Sequence, residues 1–571
     1  MDFGRHQKGT DCASIMQVPH FKKRKYTAAL LICSSLFAGC VNYPHQVELP
    51  IYTQSMLKED YYTVDIPSFD GETIRATIFQ PELEPYETAP VIIHAHGFGL
   101  FRMSSPVSLY GSLLFSGQAA KNAWKNGYWV VSIDHRGHGG SGGQINMMDP
   151  ETEVKDLKWV IDWIENNLPR LTYKDKKPMV GMVGESYGGG LQLLGASLDD
   201  RIKAIVPITT WYDFSGVLTP NNVVKSGWLT SLVAFGNLMN PTTMNRSMTS
   251  SYFSSITSEV PATFAPMMMS RSLSNSCYCR ADAWPHADAF FIQGFKDVLF
   301  PLNEAVSNMS CLEAAGRDVR LLGTQYGHLL PMTQFSWGVP GYDIENEVHC
   351  DDKVFKPIDL VLAWFDEKLK GKEKRADIIP KVCLTYNFEE GGTYTEVPVG
   401  GERFTFSKAE VKNGLQGLME IPFSAFDLAA DTLTFSTNTY NEIKPEETNN
   451  QSGVLRPVFV PLKRVQQKSV VAGIPVADFT LTGQHKDVVF AGIAVLRNGQ
   501  TQPELMSDQV YPFRGGNSLR VNLPGVSAVL KPGDVLGLMF AGYNNQYRLS
   551  GKLSTHASVS GEVLIPLEAK E

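Results

Sequence analysis

The stretch "GESYGGG" (184–190) sets a serine among glycines where an apolar run, "MVGMV" (179–183), gives way to the helical pattern "LQLLGAS" (191–197). Gly184, Ser186 and Gly188 fill a G-x-S-x-G spacing. Small flanking residues let the chain turn sharply from strand to helix and hold the serine hydroxyl above a sheet edge. A serine is a poor nucleophile until a base takes its proton, and the base needs an acid to orient it. Both follow in that order. Asp297 in "FFIQGFKDVLFP" and His328 in "VRLLGTQYGHLLP" each come just after an apolar run, with the helical "LNEAVSNMSCLEAA" between them. The chemistry implied is acyl transfer: Ser186 attacks a carbonyl, His328 moves the proton, and Asp297 holds the imidazole. Asp213 in "TTWYD" stands in reserve as the acid. His349, His485 and His556 also follow Asp297, but none directly ends a strand of this pattern.

Acyl transfer also needs donors for the developing oxyanion, each worth ~3–4 kcal/mol of barrier. The backbone N–H of Tyr187, directly after the nucleophile, is one candidate. The N–H of Phe98 in "HAHGFG" (94–99) is the other. His94 and His96 share a strand face as a metal pair would, yet no third ligand accompanies them at a sensible spacing. No metal and no organic cofactor is expected. "DHRGHGGSGG" (134–143) looks like a phosphate loop, but a turn braced by Asp134 and Arg136 accounts for it better. The methionines at 267–269 read as the lining of an apolar cap.

The elements that must position these groups follow from hydrophobic pattern. "APVIIHAHG", "YWVVSID", "MVGMV", "IKAIVPI", "AFFIQG" and "VRLLG" are near-continuous apolar runs, as strands of a parallel sheet covered on both faces require. In "EVKDLKWVIDWIENNL", Val154, Leu157, Val160, Ile161, Ile164 and Leu168 recur at helical spacing. Strand and helix alternating predict an α/β catalytic domain over 50–372. Residues 214–286 have no clear strand and are expected to form a helical cap over the sheet's C-terminal edge, where ligands bind. A charged linker follows at about 370–378. Short β-like runs separated by Gly, Pro and Asn then predict a C-terminal β-sandwich over 379–571.

The chain has 571 residues, 43% hydrophobic and 19% charged, with a net charge of −8. So slight a charge on so long a chain gives no reason to expect a nucleic-acid partner. Basic "HFKKRKY" (20–26), apolar "TAALLICSSLFAG" (27–39) and then Cys40 have the pattern of a lipoprotein-type signal peptide over 1–39. Lipidation of Cys40 would anchor the chain to a membrane, the outer one in a Gram-negative host, without making it an integral protein. Met16 is an alternative start. After cleavage, Cys277, Cys279, Cys311, Cys350 and Cys383 remain as possible disulfide partners. One of the first two is expected to pair with Cys311 or Cys350.

Taken together, "DHRGHGGSGG", "GESYGGG", "QGFKDVLFP", "YGHLLP", the helix "LAWFDEKLKGK" and the C-terminal "GIPVADFTLTG" and "KPGDVLGLMFAG" make the chain similar to α/β-hydrolases. Within that fold it resembles the Xaa-Pro dipeptidyl-peptidase family, which includes cocaine-esterase-like acyl esterases and glutaryl acylases. The resemblance implies a triad of Ser186, Asp297 and His328 and a jelly-roll C-terminal domain packed beside the cap. Many members take an oxyanion donor from a tyrosine in Pro-Tyr after the first core strand, and "HAHGFG" stands in that place here. The expected activity is that of a serine hydrolase acting through an acyl-enzyme on small esters, amides or short peptides. It would be Xaa-Pro dipeptidyl-peptidase-like, with an acyl esterase as the alternative and a non-catalytic surface binding protein as a remote one.

Overall fold

Seven runs of buried residues pair in parallel to make the centre of a ten-stranded sheet. In a computed structural model of the chain, the described residues are 55–239, 244–246, 249–250, 264–279, 284–328, 346–413, 457–484, 487–547 and 555–570. The signal-like segment, Cys40 and His485 lie outside them. The sheet contains β1 (Asp60–Pro67), β2 (Thr73–Gln80), β3 (Val91–Ala95), β4 (Trp129–Ile133), β5 (Val180–Glu185), β6 (Ile202–Ile208), β7 (Asp288–Lys296), β8 (Val319–Gly327), β9 (Val382–Thr385) and β10 (Gly391–Tyr394). The order across it is β1-β2-β4-β3-β5-β6-β7-β8-β9-β10. Strands β4 to β9 are parallel, while β1 and β2 at one edge and β10 at the other are antiparallel. Every residue of β3, β4 and β5 is buried. Helices on both faces exclude water from such strands, so both faces must be apolar.

Those helices include α1 (Phe115–Lys125), α2 (Glu153–Asn167) and α3 (Tyr187–Leu198). Helix α2 turns Val154, Leu157, Val160, Ile161 and Ile164 inward, the stripe expected from the sequence. The described part of 214–286 is helical, with α4 (Phe214–Leu218), α5 (Ser226–Met239), α6 (Phe264–Met269) and α7 (Leu273–Cys279). Helix α8 (Leu302–Ala314) crosses from β7 to β8, and α9 (Pro357–Lys370) ends at Gly371 in the left-handed conformation. Glycine is the usual residue there because it has no Cβ to clash.

The sheet continues past the boundary expected at 372–379. Strand β9 lies beyond α9 and still pairs with the outer edge of β8, Leu321 opposite Val382 and Gly323 opposite Leu384. An uncovered apolar edge on β8 would invite other strands. The four buried residues of β9 fill it, and the short β10 finishes the sheet. A disulfide from Cys350 to Cys383 ties β9 to the hairpin at 348–355, and Cys277 is bonded to Cys311 on α8.

Beyond Tyr394 the described elements are almost all antiparallel strands. They form a four-stranded, a five-stranded and a three-stranded sheet within 402–569. Phe406, Phe479, Phe513 and Phe540 meet in the core between them. Among the described residues, no helix is long and apolar enough to cross a membrane.

Candidate active site

Strand β5 ends at Glu185 and α3 begins at Tyr187, so a single residue makes the turn. That residue, Ser186, has φ 53° and ψ −110°, a region that side chains avoid. The strain is held by its neighbours. The Ser186 N–H donates to the Ile208 carbonyl at 2.8 Å, and its own carbonyl accepts from Thr210 Oγ1 at 2.9 Å. The two glycines of the motif are dictated by proximity. A Cβ on Gly184 or Gly188 would lie 2.2 or 2.1 Å from the carbonyl oxygen of Ala95 on β3.

His328 Nε2 is 2.9 Å from Ser186 Oγ, and its Nδ1 is 2.9 Å from Asp297 Oδ2. All three side chains are buried, Asp297 completely. A bulge between Thr324 and Gly327 lets the end of β8 close onto β7, where a Cβ on Gly294 would lie 1.9 Å from the Tyr326 carbonyl. The carboxylate of Asp297 is well supplied with donors: the N–H groups of Leu299 and Phe300 to Oδ1 at 3.0 and 2.8 Å, and Gln293 Nε2 to Oδ2 at 3.3 Å. The rings of Trp228, at the start of the cap helix α5, and Phe300 stand edge-on to His328, with centroids at 5.8 and 5.2 Å. The imidazole is thus fixed by contacts on several sides.

Tyr187 is the first residue of α3, where an N–H has no intrahelical acceptor. Among the described residues, the N–H of Phe98 has no hydrogen-bond partner either. The Phe98 ring packs on Tyr187 and His138, and the cap helix comes down on it at Gly236. The Tyr187 phenol serves structure, accepting from the Met148 N–H at 2.8 Å and donating to Glu153 at 3.1 Å. Burial pushes its pKa far above the usual value. A nucleophile and a base oriented by an acid are the parts with which acyl transfer begins.

A model of the X-Pro dipeptidyl-peptidase (S15) family matches residues 70–330. The match falls on the hydrolase region of the chain. The chain shares its fold with an aminopeptidase from a marine sediment archaeon, Thaumarchaeota archaeon (TM-score 0.61, 14% identity, 93% of this chain and 99% of that one). An alpha-amino acid ester hydrolase is similar over 92% of this chain and all of its own, with TM-score 0.58 and 13% identity. A CocE/NonD family hydrolase from Staphylococcus aureus covers 90% and 94%, with TM-score 0.55 and 13% identity. An uncharacterised protein of Pseudomonas aeruginosa is 26% identical over 163 residues, and one of Escherichia coli is 28% identical over 147. These alignments take in 28% and 25% of this chain and 40% and 46% of the relatives, so the chain matches less than half the length of each. The S15 match and the hydrolase neighbours support a hydrolase of the α/β type.

The other candidate residues have structural partners. Asp213 caps α4 by accepting from the Gly216 N–H, whereas His328 Nδ1 meets Asp297. His349 lies on the 348–355 hairpin and His556 in the sandwich. His94 bonds Ser132 and Ser116, and His96 bonds the Gly97 carbonyl and the His135 N–H. With His138 these imidazoles form a buried cluster. Desolvation lowers the pKa of His94 and His135 to about 3 and of His138 to about 4, and holds His96 well below the usual range. No group of three or more potential metal ligands occurs among the described residues. Asp134 accepts from Arg102 and Gly140, and Arg136 bridges Asp156 and Asp70, so the 134–143 loop is braced internally.

Sequence reasoning missed the residues around the acid. Buried Lys225 donates to the carbonyls of Val298 and Leu299, and desolvation lowers its pKa to about 8. Gln509, in the sandwich, donates to the carbonyls of Phe295 and Asp297. No local pattern marks either one, because each acts on a turn far away in the sequence.

Proposed function

We propose that the protein hydrolyses small acyl esters through an acyl-enzyme on Ser186. His328 Nε2 takes the Ser186 proton as Oγ attacks the carbonyl, and later returns it to the leaving group. Asp297 keeps Nδ1 protonated and stabilises the imidazolium. The N–H groups of Tyr187 and Phe98 receive the oxyanion, and water then releases the acid by the same route in reverse. The Ser186–His328–Asp297 contacts, both 2.9 Å, carry this reading. The α5 cap helix, with Trp228 against the base and Gly236 against Phe98, supports a pocket that restricts acyl size.

Xaa-Pro dipeptidyl-peptidase activity is the second reading, supported by the S15 match. It requires an acid to bind the substrate's ammonium group. Of the acidic residues next to the elbow and the cap, Glu185 is buried against the Tyr110 hydroxyl and Asp213 is engaged as a helix cap. Both engagements favour the ester reading. Hydrolysis of p-nitrophenyl butyrate and of Ala-Pro-p-nitroanilide, with Ser186→Ala as the blank, separates the two. Serine-dependent cleavage of the ester alone is expected, and cleavage of the anilide would establish the peptidase. We also propose that Cys40 carries a lipid anchor, tested by whether Cys40→Ser releases the protein from washed membranes of the expressing cells.

A further inference from the structure

The turn that carries Asp297 is gripped by two side chains from outside the strands that form it. Gln509 Nε2 donates to the carbonyls of Phe295 at 2.7 Å and Asp297 at 2.9 Å. Lys225 Nζ donates to the carbonyls of Val298 at 2.8 Å and Leu299 at 3.0 Å. Both side chains are buried, 3% and 5% exposed. Gln509 comes from the sandwich, just after a turn in which Ser507 and Asp508 have positive φ of 55° and 58°. Lys225 comes from the cap, immediately before α5.

An interface between domains does not by itself require this arrangement. Ser527 Oγ bonds the Thr385 carbonyl on β9, and Asn303 on α8 bonds Leu523 and Gly525, so other contacts join the sandwich to the hydrolase domain without touching the acid's turn. The gripped segment also includes the donors that aim Asp297. Its Oδ1 accepts from Leu299 and Phe300, which frees Oδ2 for His328. A shift of the turn therefore moves the carboxylate away from the imidazole.

We propose that Gln509 and Lys225 are positioning residues that set Asp297 against His328, so that cap, sheet and sandwich build the acid's position jointly. The proposal deepens the ester-hydrolase reading and rests on it. His328 faces Ser186, Asp297, Trp228 and Phe300. The other charged groups in this cluster are Lys225 and Glu304, which interact with each other, and Lys225 also with Asp297. With Asp297 displaced, the imidazolium loses stabilisation, and the acid limb of the pH profile of kcat/KM moves to lower pH.

The test measures kcat, KM and the pH profile for p-nitrophenyl butyrate, together with thermal unfolding, on the full chain. The variants are Gln509→Met, Gln509→Glu, Lys225→Met, Ser527→Ala and Ser186→Ala. For Gln509→Met, kcat is expected to fall about tenfold to a hundredfold with KM within about twofold, since small misplacements of catalytic groups act at that scale. Its acid limb shifts to lower pH. Gln509→Glu keeps the shape but presents an acceptor, and it lowers kcat as much. Lys225→Met also lowers kcat, whereas Ser527→Ala changes only the melting temperature. If Gln509→Met does not fold, Gln509→Glu and Lys225→Met decide. Folded variants with unchanged kcat and acid limb would overturn the positioning role, as would an equal loss of kcat in Ser527→Ala. Hydrolysis that survives Ser186→Ala overturns the triad reading instead, so the two failures are distinguishable.

Discussion

At the residue scale, the elbow leaves almost no freedom. Ser186 is held at φ 53° by bonds to Ile208 and Thr210, and Gly188 touches the backbone of β3. A methyl group placed 2.1 Å from the Ala95 carbonyl cannot be relieved by a rotamer change, because the obstacle is backbone. Gly188→Ala is therefore expected to cost about 1–3 kcal/mol of stability, the usual scale of overpacking. It should also displace Ser186 Oγ from His328, with labelling of Ser186 by a fluorophosphonate probe slowed at least tenfold. Asp297→Asn changes less in shape and more in chemistry. The amide favours the wrong tautomer of His328, and kcat should fall by about 10⁴. A fall of less than about tenfold would mean another acid serves the base.

At the scale of elements, much was legible in the sequence. The six apolar runs became β3 to β8 because burial on both faces demands such composition. Asp297 and His328 followed from lying just past two of those runs. What was not legible depends on partners distant in sequence. The run that forms β9 is four residues long and gains its identity from the edge of β8. The Cys277–Cys311 bond fell among the expected pairings, but the Cys350–Cys383 bond did not, since it depends on β9 joining the sheet. Cross-linking this edge restricts the unfolded chain, so Cys383→Ser is expected to cost about 2–4 kcal/mol in urea unfolding. Activity below the transition should be retained, because the bond lies on a hairpin away from Ser186. Loss of activity without loss of stability would contradict this.

At the scale of the whole molecule, the four buried imidazoles of His94, His96, His135 and His138 set a pH limit. Their folded pKa values lie below the unfolded value of about 6.5, so the unfolded chain binds more protons as the solution becomes acidic. Their contribution is complete above pH 6.5 and is lost progressively as pH falls from there toward the folded values of about 3 to 4. The loss grows as the solution becomes more acidic, because each buried imidazole resists the proton that its unfolded counterpart accepts. The melting temperature should drop steeply between pH 7 and 5. A flat profile over that range would show that the cluster is not neutral in the folded state.

The final two strands of the central sheet have a consequence for biogenesis. A ribosome delivers Ser186, Asp297 and His328 long before it delivers Val382–Thr385, which cover the flank of Val319–Gly327, and longer still before Gln509. While the chain is growing, the strand that leads to the base has an open flank, and the turn that holds the acid lacks one of its two grips. Catalytic competence is then among the last properties the polypeptide acquires, and a nascent or truncated chain would carry all three reactive side chains without the geometry to use them.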